Sequence, residues 1–295
     1  MELSAQRSAK HRWLPCALVL LQGLLYGLGD PISKAAFDVV PVYSLLSVRD
    51  LIGLTFLLLI APKRIWKGLK ESSWRDWLLP SLCIGGAYVA GNIALNLTAA
   101  TSVAFLRSLS TVMTPLLALV LYRKCFRWQH IPIQLLVVLG LYLLCGLGGL
   151  SGFGGGEVFS LLSALLVAGS LVLGEKALER VDPITLTAVQ TAISAVMAII
   201  CSLIFEGGWQ LSGATPKVWG IILYLAILCT VAGYLLQNAA LRSIPSQTAA
   251  LLQCFCPVMT AVFSRLILSE VLSVPGMIGA GLILLCVMAE TLLKD

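Results

Sequence analysis

The sequence predicts an all-α polytopic membrane protein with ten transmembrane helices, arranged as two inverted five-helix repeats. Composition, run length and self-similarity carry that prediction. Of 295 residues, 59% are hydrophobic and 12% charged, and the mean hydropathy is +0.95. A soluble domain is roughly half apolar and about a quarter charged, so both figures are displaced in the same sense. So few charges cannot wet a soluble surface of this size. A soluble enzyme is excluded.

A membrane helix needs ~20 mainly apolar residues to cross about 30 Å of hydrocarbon. Ten runs approach or exceed that length, at 14–36, 42–61, 77–97, 101–121, 131–150, 157–177, 184–205, 218–240, 247–268 and 274–293. Several connections are short, notably at Val39–Pro41 and Thr98–Ala100. They leave no room for a large extramembrane domain, and hence for a soluble catalytic or nucleotide-binding module. The first run carries Asp30 and Lys34 and lacks a small-x-small cleavage site, so it is expected to remain as a membrane helix rather than act as a signal peptide.

The net charge of +6 orients the chain. With the N-terminus inside, fifteen of the twenty Lys and Arg residues fall at inner ends and loops, against Lys217 alone outside. That asymmetry places both termini in the cytoplasm of a multi-pass cell-membrane protein. No nucleic-acid partner is expected. The nine cysteines stand apart in or beside apolar runs, except Cys254 and Cys256, which are two apart and point to different helix faces. They read as small apolar filler. No metal and no cofactor is expected.

Sliding the sequence on itself exposes a repeat. TSVAFLRSLSTVMT (101–114) lies over QTAALLQCFCPVMT (247–260), while Lys34 meets Lys176, Pro41 meets Pro183, Gly91 meets Gly233 and Asn96 meets Asn238. The halves, 14–150 and 157–293, hold five runs each. Five is odd, so the second half enters the membrane inverted, a recurrent plan of secondary transporters. The stretch Gly146–Gly156 joins the halves, and its spacing fits neither GxGxxG nor a P-loop.

YGLGDPISK (26–34), the Arg49 of LLSVRDLIG (45–53), LNLTAATSVAFL (95–106) and LQNAALRSIPSQTAALLQCFCPVMTAVFSRLILSE (236–270) carry a resemblance over nearly the whole chain. The sequence resembles the EamA-type transporters of the drug/metabolite transporter superfamily. Glu270 matches a Glu usual in that family; the first copy has Lys124 there, and Asp30 is unusual for the family. The resemblance implies a ten-helix carrier of small metabolites, often an exporter.

Charges inside a span are costly and usually face an interior cavity. Gly23, Gly27, Asp30 and Lys34 recur on one face of the first run, the glycines as a small-xxx-small pair. Helical rise puts Asp30, Arg49 and Arg107 at similar depth in the outer half. They form either a charged vestibule for solute or an Asp30–Arg49 pair that only fixes packing. The fourth run carries Arg107, Ser110, Thr111 and Thr114 as one stripe; its repeat partner carries Gln253, Cys256, Pro257, Thr260 and Ser264. The hydroxyls alone suit interhelical hydrogen bonds, worth about 0.6 kcal/mol each. Tyr88 and Asn92 share a face of the third run, and Gln190 follows the Arg49 position in the repeat. The expected solute-binding set is thus Asp30, Arg49, Tyr88, Asn92, Arg107, Gln190 and Gln253. Glu175, Lys176, Glu179 and Arg180 read as a solvated cluster at an inner helix end.

The function these features imply is secondary transport of a small organic metabolite by alternating access. An anionic or amino-acid-like solute is favoured, because Lys34, Arg49, Arg107 and Arg265 outnumber Asp30 and Asp50 within the runs. Its partners would be that small-molecule solute and the lipid bilayer, with proton coupling open to Asp30. An enzyme is not expected: a membrane-embedded transferase or hydrolase would need a nucleophile–base pair or acidic metal motif at the surface, and the sequence offers neither. A channel or structural subunit is the other rival, disfavoured by the inverted repeat. For the topology, Lys70→Cys in a cysteine-free background is expected to resist an impermeant maleimide in intact cells and to react after permeabilisation. Reaction in intact cells would overturn the assignment.

Overall fold

The computed structural model describes residues 2–123, 131–143, 154–267 and 274–292, with side chains placed except at 2–12, 101, 291 and 292. Among these residues every regular element is a helix and none is a strand. In order come α1 (Glu2–Phe37), α2 (Val42–Ile60), α3 (Pro62–Glu71), α4 (Trp74–Leu97), α5 (Ala100–Ser108), α6 (Ser110–Tyr122) and α7 (Ile131–Leu141). Then follow α8 (Gly155–Ala177), α9 (Pro183–Cys201), α10 (Pro216–Tyr224), α11 (Gly233–Leu241), α12 (Ser246–Gln253), α13 (Phe255–Ile267) and α14 (Val274–Leu292). A π-helical stretch, Ser202–Glu206, ends α9, and a second, Leu225–Ala232, joins α10 to α11.

Eight helical segments are long and apolar enough to cross a membrane, and two shorter apolar helices, Ile131–Leu141 and Val274–Glu290, fall on the fifth and tenth sequence runs. The chain is therefore a multi-pass, all-helical membrane protein. The rest of the fifth run, Lys124, Glu270 and most of the glycine-rich link lie outside the described residues. Each span is about half buried, and the surface left over is apolar, with Leu59, Val120 and Leu266 each more than 70% exposed. A helix oily on both sides has two dry neighbours, other helices and lipid. The basic segment after α2, expected as a loop, is helical: α3 buries Ile65 and leaves Lys63, Lys67 and Lys70 outward. That is an amphipathic helix seated on the bundle, Ile65 packing with Leu57, Ala188 and Val231.

Polar contacts between distant segments sort the connections into two ends. At one end Lys34 Nζ donates to the Thr98 carbonyl at 2.7 Å, Thr98 Oγ1 donates to Glu157 at 3.0 Å, and Ser44 meets Glu206. At the other, Arg64 binds both oxygens of Asp182, Arg180 lies 3.7 Å from Asp76, and the Ser246 amide donates to Glu175. The cluster at 175–180 is thus partly committed to packing: Glu175 caps α12, whereas Lys176 and Glu179 pair on the surface.

Two local problems have local solutions. Pro115 has no N–H, so the Thr111 carbonyl loses its helical donor; Gln134 Nε2 on α7 supplies one at 3.3 Å. The N-terminus of α2 follows Pro41 and has no capping side chain of its own. Glu206 fills the role from 162 residues away, its carboxylate accepting from the amides of Tyr43 and Ser44 (2.8 Å each) and from Ser44 Oγ (2.7 Å). A carboxylate there also meets the positive end of the helix dipole. Gly207, at φ +70°, then turns the chain away. Gly27 sits where a side chain would collide with Met259, so α1 and α13 cross closely. Glu206→Ala is expected to cost about 1–2 kcal/mol, the value of a lost cap, seen as a lower unfolding temperature of the purified protein. An unchanged temperature would show that the cap contributes nothing.

Candidate functional site

A polar cavity lies inside the bundle, walled by α1, α2, α4, α5, α8 and the segments from Leu225 to Pro257. Space for the centres of water-sized molecules amounts to about 80 Å³, room for roughly six waters at ~10–15 Å³ apiece. Drug-sized ligands occupy pockets of about 300–1,000 Å³. Only a small solute fits in this conformation.

Two ion pairs stand at the cavity. Asp30 on α1 faces Arg107 on α5 at 3.5 Å, both side chains partly open to the cavity. Arg49 on α2 is buried and donates from Nε to Asp50 at 3.2 Å. Asp50 is held from three sides, with Ser194 Oγ of α9 donating at 2.6 Å and Thr230 Oγ1 of the second π stretch at 3.2 Å. The Asp30–Arg49 pair expected as the packing alternative is therefore replaced by two separate pairs. The reason is reach: the flexible Arg49 side chain folds back on its neighbour, leaving Asp30 to α5.

Arg49 also lies over the Tyr88 ring, 4.9 Å from its centroid, a cation–π contact. Tyr88 meets Tyr26 and Tyr234 edge-on at 6.2 and 5.4 Å. Asn92, one turn further along α4, donates back to the Tyr88 carbonyl. About 12 Å along α1 from Asp30, by helical rise, three carboxamides close the other end. Gln22 donates to Gln237 at 2.8 Å, and Gln253 donates to Gln237 at 3.0 Å and to Gln22 at 3.3 Å.

Of the seven residues expected from sequence, Asp30, Arg49, Tyr88, Asn92, Arg107 and Gln253 all line this one cavity. Gln190 does not. Its Oε1 accepts from Asn238 at 2.7 Å, and Asn238 also donates to Thr187. The face Gly23–Gly27–Asp30–Lys34 is divided: the glycines abut α13, Lys34 turns to Thr98, and Asp30 alone of the four polar and small positions carries cavity charge. Of the stripe's hydroxyls, Thr114 bonds within its own helix, to the Ser110 carbonyl, and Ser110 lines the cavity. Cys254 and Cys256 both line the cavity, because the helix is interrupted between α12 and α13 at Cys254. A matching interruption falls at Leu109, between α5 and α6. Gln22, Tyr26 and Gln237 were not singled out from sequence; Gln22, Tyr26 and Asp30 at i, i+4, i+8 were the available signal.

The repeat-matched glycines Gly91 and Gly233 both clear space for a cavity side chain. A Cβ at Gly91 would stand 3.8 Å from Arg107 Nη1, and one at Gly233 would stand 2.7 Å from the Tyr26 hydroxyl. Gly233→Ala is expected to displace Tyr26 and destabilise by about 1–3 kcal/mol, as overpacking does. Adding Tyr26→Ala should relieve the clash component, readable as non-additive unfolding temperatures. Simple additivity would show that the contact is not made.

The model described as the EamA-like transporter family matches residues 13–146 and again 154–289. An uncharacterized transporter of Archaeoglobus fulgidus is 26% identical over 276 residues, covering 92% of this chain and 84% of the relative. A second from that organism is 31% identical over 218 residues, 70% of this chain and 73% of the relative. The uncharacterized transporter YvbV of Bacillus subtilis is 27% identical over 271 residues, 88% and 86% of the two chains. A solved crystal structure superposes with a TM-score of 0.76 over 92% of this chain and 94% of its own, at 17% identity. At that identity the likeness shows the fold alone.

Proposed function

The chain belongs to the EamA-like transporter family, and on that premise we propose that it is a secondary transporter that carries a small organic solute through the central cavity by alternating access. The observation that carries this is the cavity's construction from both matched segments: Asp30, Arg49, Tyr88, Asn92 and Arg107 come from the first, Gln237, Gln253 and Cys256 from the second. A site shared across two units is reached from either side when the units rock about it. In this proposal the ten sequence runs all span, and 14–150 and 157–293 are inverted copies. Both termini face the cytoplasm across the cell membrane.

Arg49, Tyr88, Asn92, Arg107 and Gln253 are proposed to touch solute, Asp30 to respond to it from the edge of the cavity, and Gln190 to support Asn238. Two guanidiniums favour an anionic group. Asp30 is the candidate for proton coupling, being a carboxylate that borders the space a solute would fill. The alternation of polar contacts between two ends and the matched interruptions at Leu109 and Cys254 support two similar halves.

Comparing metabolites of cells with and without the protein identifies solutes whose levels depend on it, and counterflow in liposomes then tests them. Accelerated exchange against unlabelled solute is the expected result. Uptake that equilibrates with no counterflow would replace the carrier with a channel. With Cys256 as sole cysteine, an impermeant maleimide should label from each side of the membrane, and saturating solute should slow both.

A further inference from the structure

We propose that the load is a compact monocarboxylate, anchored by Arg49 and then shared with Arg107 as Asp30 gives way and takes up a proton. This rests on the carrier function proposed above and specifies the chemistry of its site.

The first observation is an unmet donor. Arg49 is 2% exposed, yet its Nη2 has no hydrogen-bond partner. Leaving a charged donor unmet in a dry interior is unfavourable. Its own counter-ion is not free to serve it, because Asp50 already receives Arg49 Nε, Ser194 Oγ and Thr230 Oγ1. Tyr88 covers the guanidinium face. What remains is the edge bearing Nη2, on a residue that lines the cavity. A guanidinium edge matches a planar carboxylate.

The second observation is a loose pair beside it. The Asp30–Arg107 contact is a single one at 3.5 Å, longer than the ~2.7–2.9 Å of a strong charge-assisted hydrogen bond. Both side chains retain some exposure, 14% and 22%. Arg49 is clamped, whereas Arg107 is exchangeable. A solute carboxylate entering the space takes the place that Asp30 now holds.

Charge decides the class of solute. Arg49 with Asp50, and Arg107 with Asp30, are each neutral as pairs. One added carboxylate brings a single uncompensated negative charge into a low-dielectric space, which is strongly unfavourable. One proton from solvent on Asp30 cancels it. The charged and titratable groups that face Asp30 are Arg107 of α5, Arg49 of α2, Cys229 of the second π stretch and Cys256 of α13, with Tyr26 of α1 and Tyr88 of α4 in the same cavity wall. Asp30 is the one carboxylate that lines the cavity among the described residues. A dianion would need a second such acceptor. A cation would find no free acceptor, since the carboxamides at the far end are bonded to one another. A zwitterion would set its ammonium on the Asp30 that its carboxylate frees, and so bind with no proton taken up. The cavity as it stands favours a small solute.

The test uses the purified full chain and three probe sets: acetate, propionate and benzoate; their amides and α-amino analogues; and malonate. Binding is read by calorimetry and by the shift in unfolding temperature, from mildly acidic to neutral pH. At least one monocarboxylate should bind, tighter as pH falls because binding takes up a proton; amides and malonate should not, and zwitterions should bind more weakly and without that pH dependence. Arg49→Lys keeps a cation beside Asp50, so the fold survives, but it loses the fork and should weaken binding about tenfold or more. Asp30→Asn should retain binding and lose its pH dependence. Equal binding by Arg49→Lys, a preference for the zwitterions or malonate, a pH dependence that persists in Asp30→Asn, or no binding by any probe would each overturn the proposal. Monocarboxylate binding without counterflow would instead remove the carrier function and leave the site. Counterflow of a solute lacking a carboxylate would do the reverse.

Discussion

A polar group inside hydrocarbon must find its partner within the protein, and the Arg49–Asp50 pair is where this constraint binds hardest. Two charges on adjacent residues of α2 are buried together, and their compatibility with the bilayer depends on what surrounds them. Asp50 draws Ser194 and Thr230 toward it, so one carboxylate ties α2 to α9 and to the π stretch before α11. Arg49 in turn fixes the Tyr88 ring, and through it the aromatic contacts to Tyr26 and Tyr234. The wall of the cavity is thus organised outward from one ion pair.

The same constraint explains features that look unrelated. Pro115 frees a carbonyl that lipid cannot satisfy, and a glutamine on α7 is placed to meet it. The bare N-terminus of α2 is met by Glu206, brought there by the end of α9. At the opposite end Arg64, just past α2, grips Asp182, the N-cap of α9. The two helices are therefore fastened at both ends and at the Asp50–Ser194 contact between. Around Asp30 and Arg107 the connection is a single long contact. One side of the cavity is fastened at several points and the other by a single contact.

Much of this was legible in the chain. Composition and run length specify an all-helical membrane protein, because burying backbone in lipid permits little else. Intramembrane charge marked Asp30, Arg49 and Arg107, and helical rise placed them at one depth. The matched glycines at 91 and 233 were visible as a repeat, though nothing linear indicated that each gives room to a cavity side chain. Of the glutamine trio, Gln253 is legible as the repeat counterpart of a polar stripe, whereas Gln22 and Gln237 are not, because a lone glutamine in an apolar run carries little signal. Gln190 was assigned to the solute because its position resembled that of Arg49, and it bonds Asn238 instead.

The sequence by itself determined what must be inside and what must be paired, since hydropathy and charge act residue by residue. It did not determine who pairs with whom. Asp30 had two guanidiniums at its depth, and the choice of Arg107 depended on side-chain reach and on how α5 sits against α4 at Gly91. Glu206 and Ser44 are 162 residues apart, and only their packed helices bring carboxylate and amides together. Burial is a property of single residues summed along the chain, whereas partnership is a property of distances that exist only once the helices have packed.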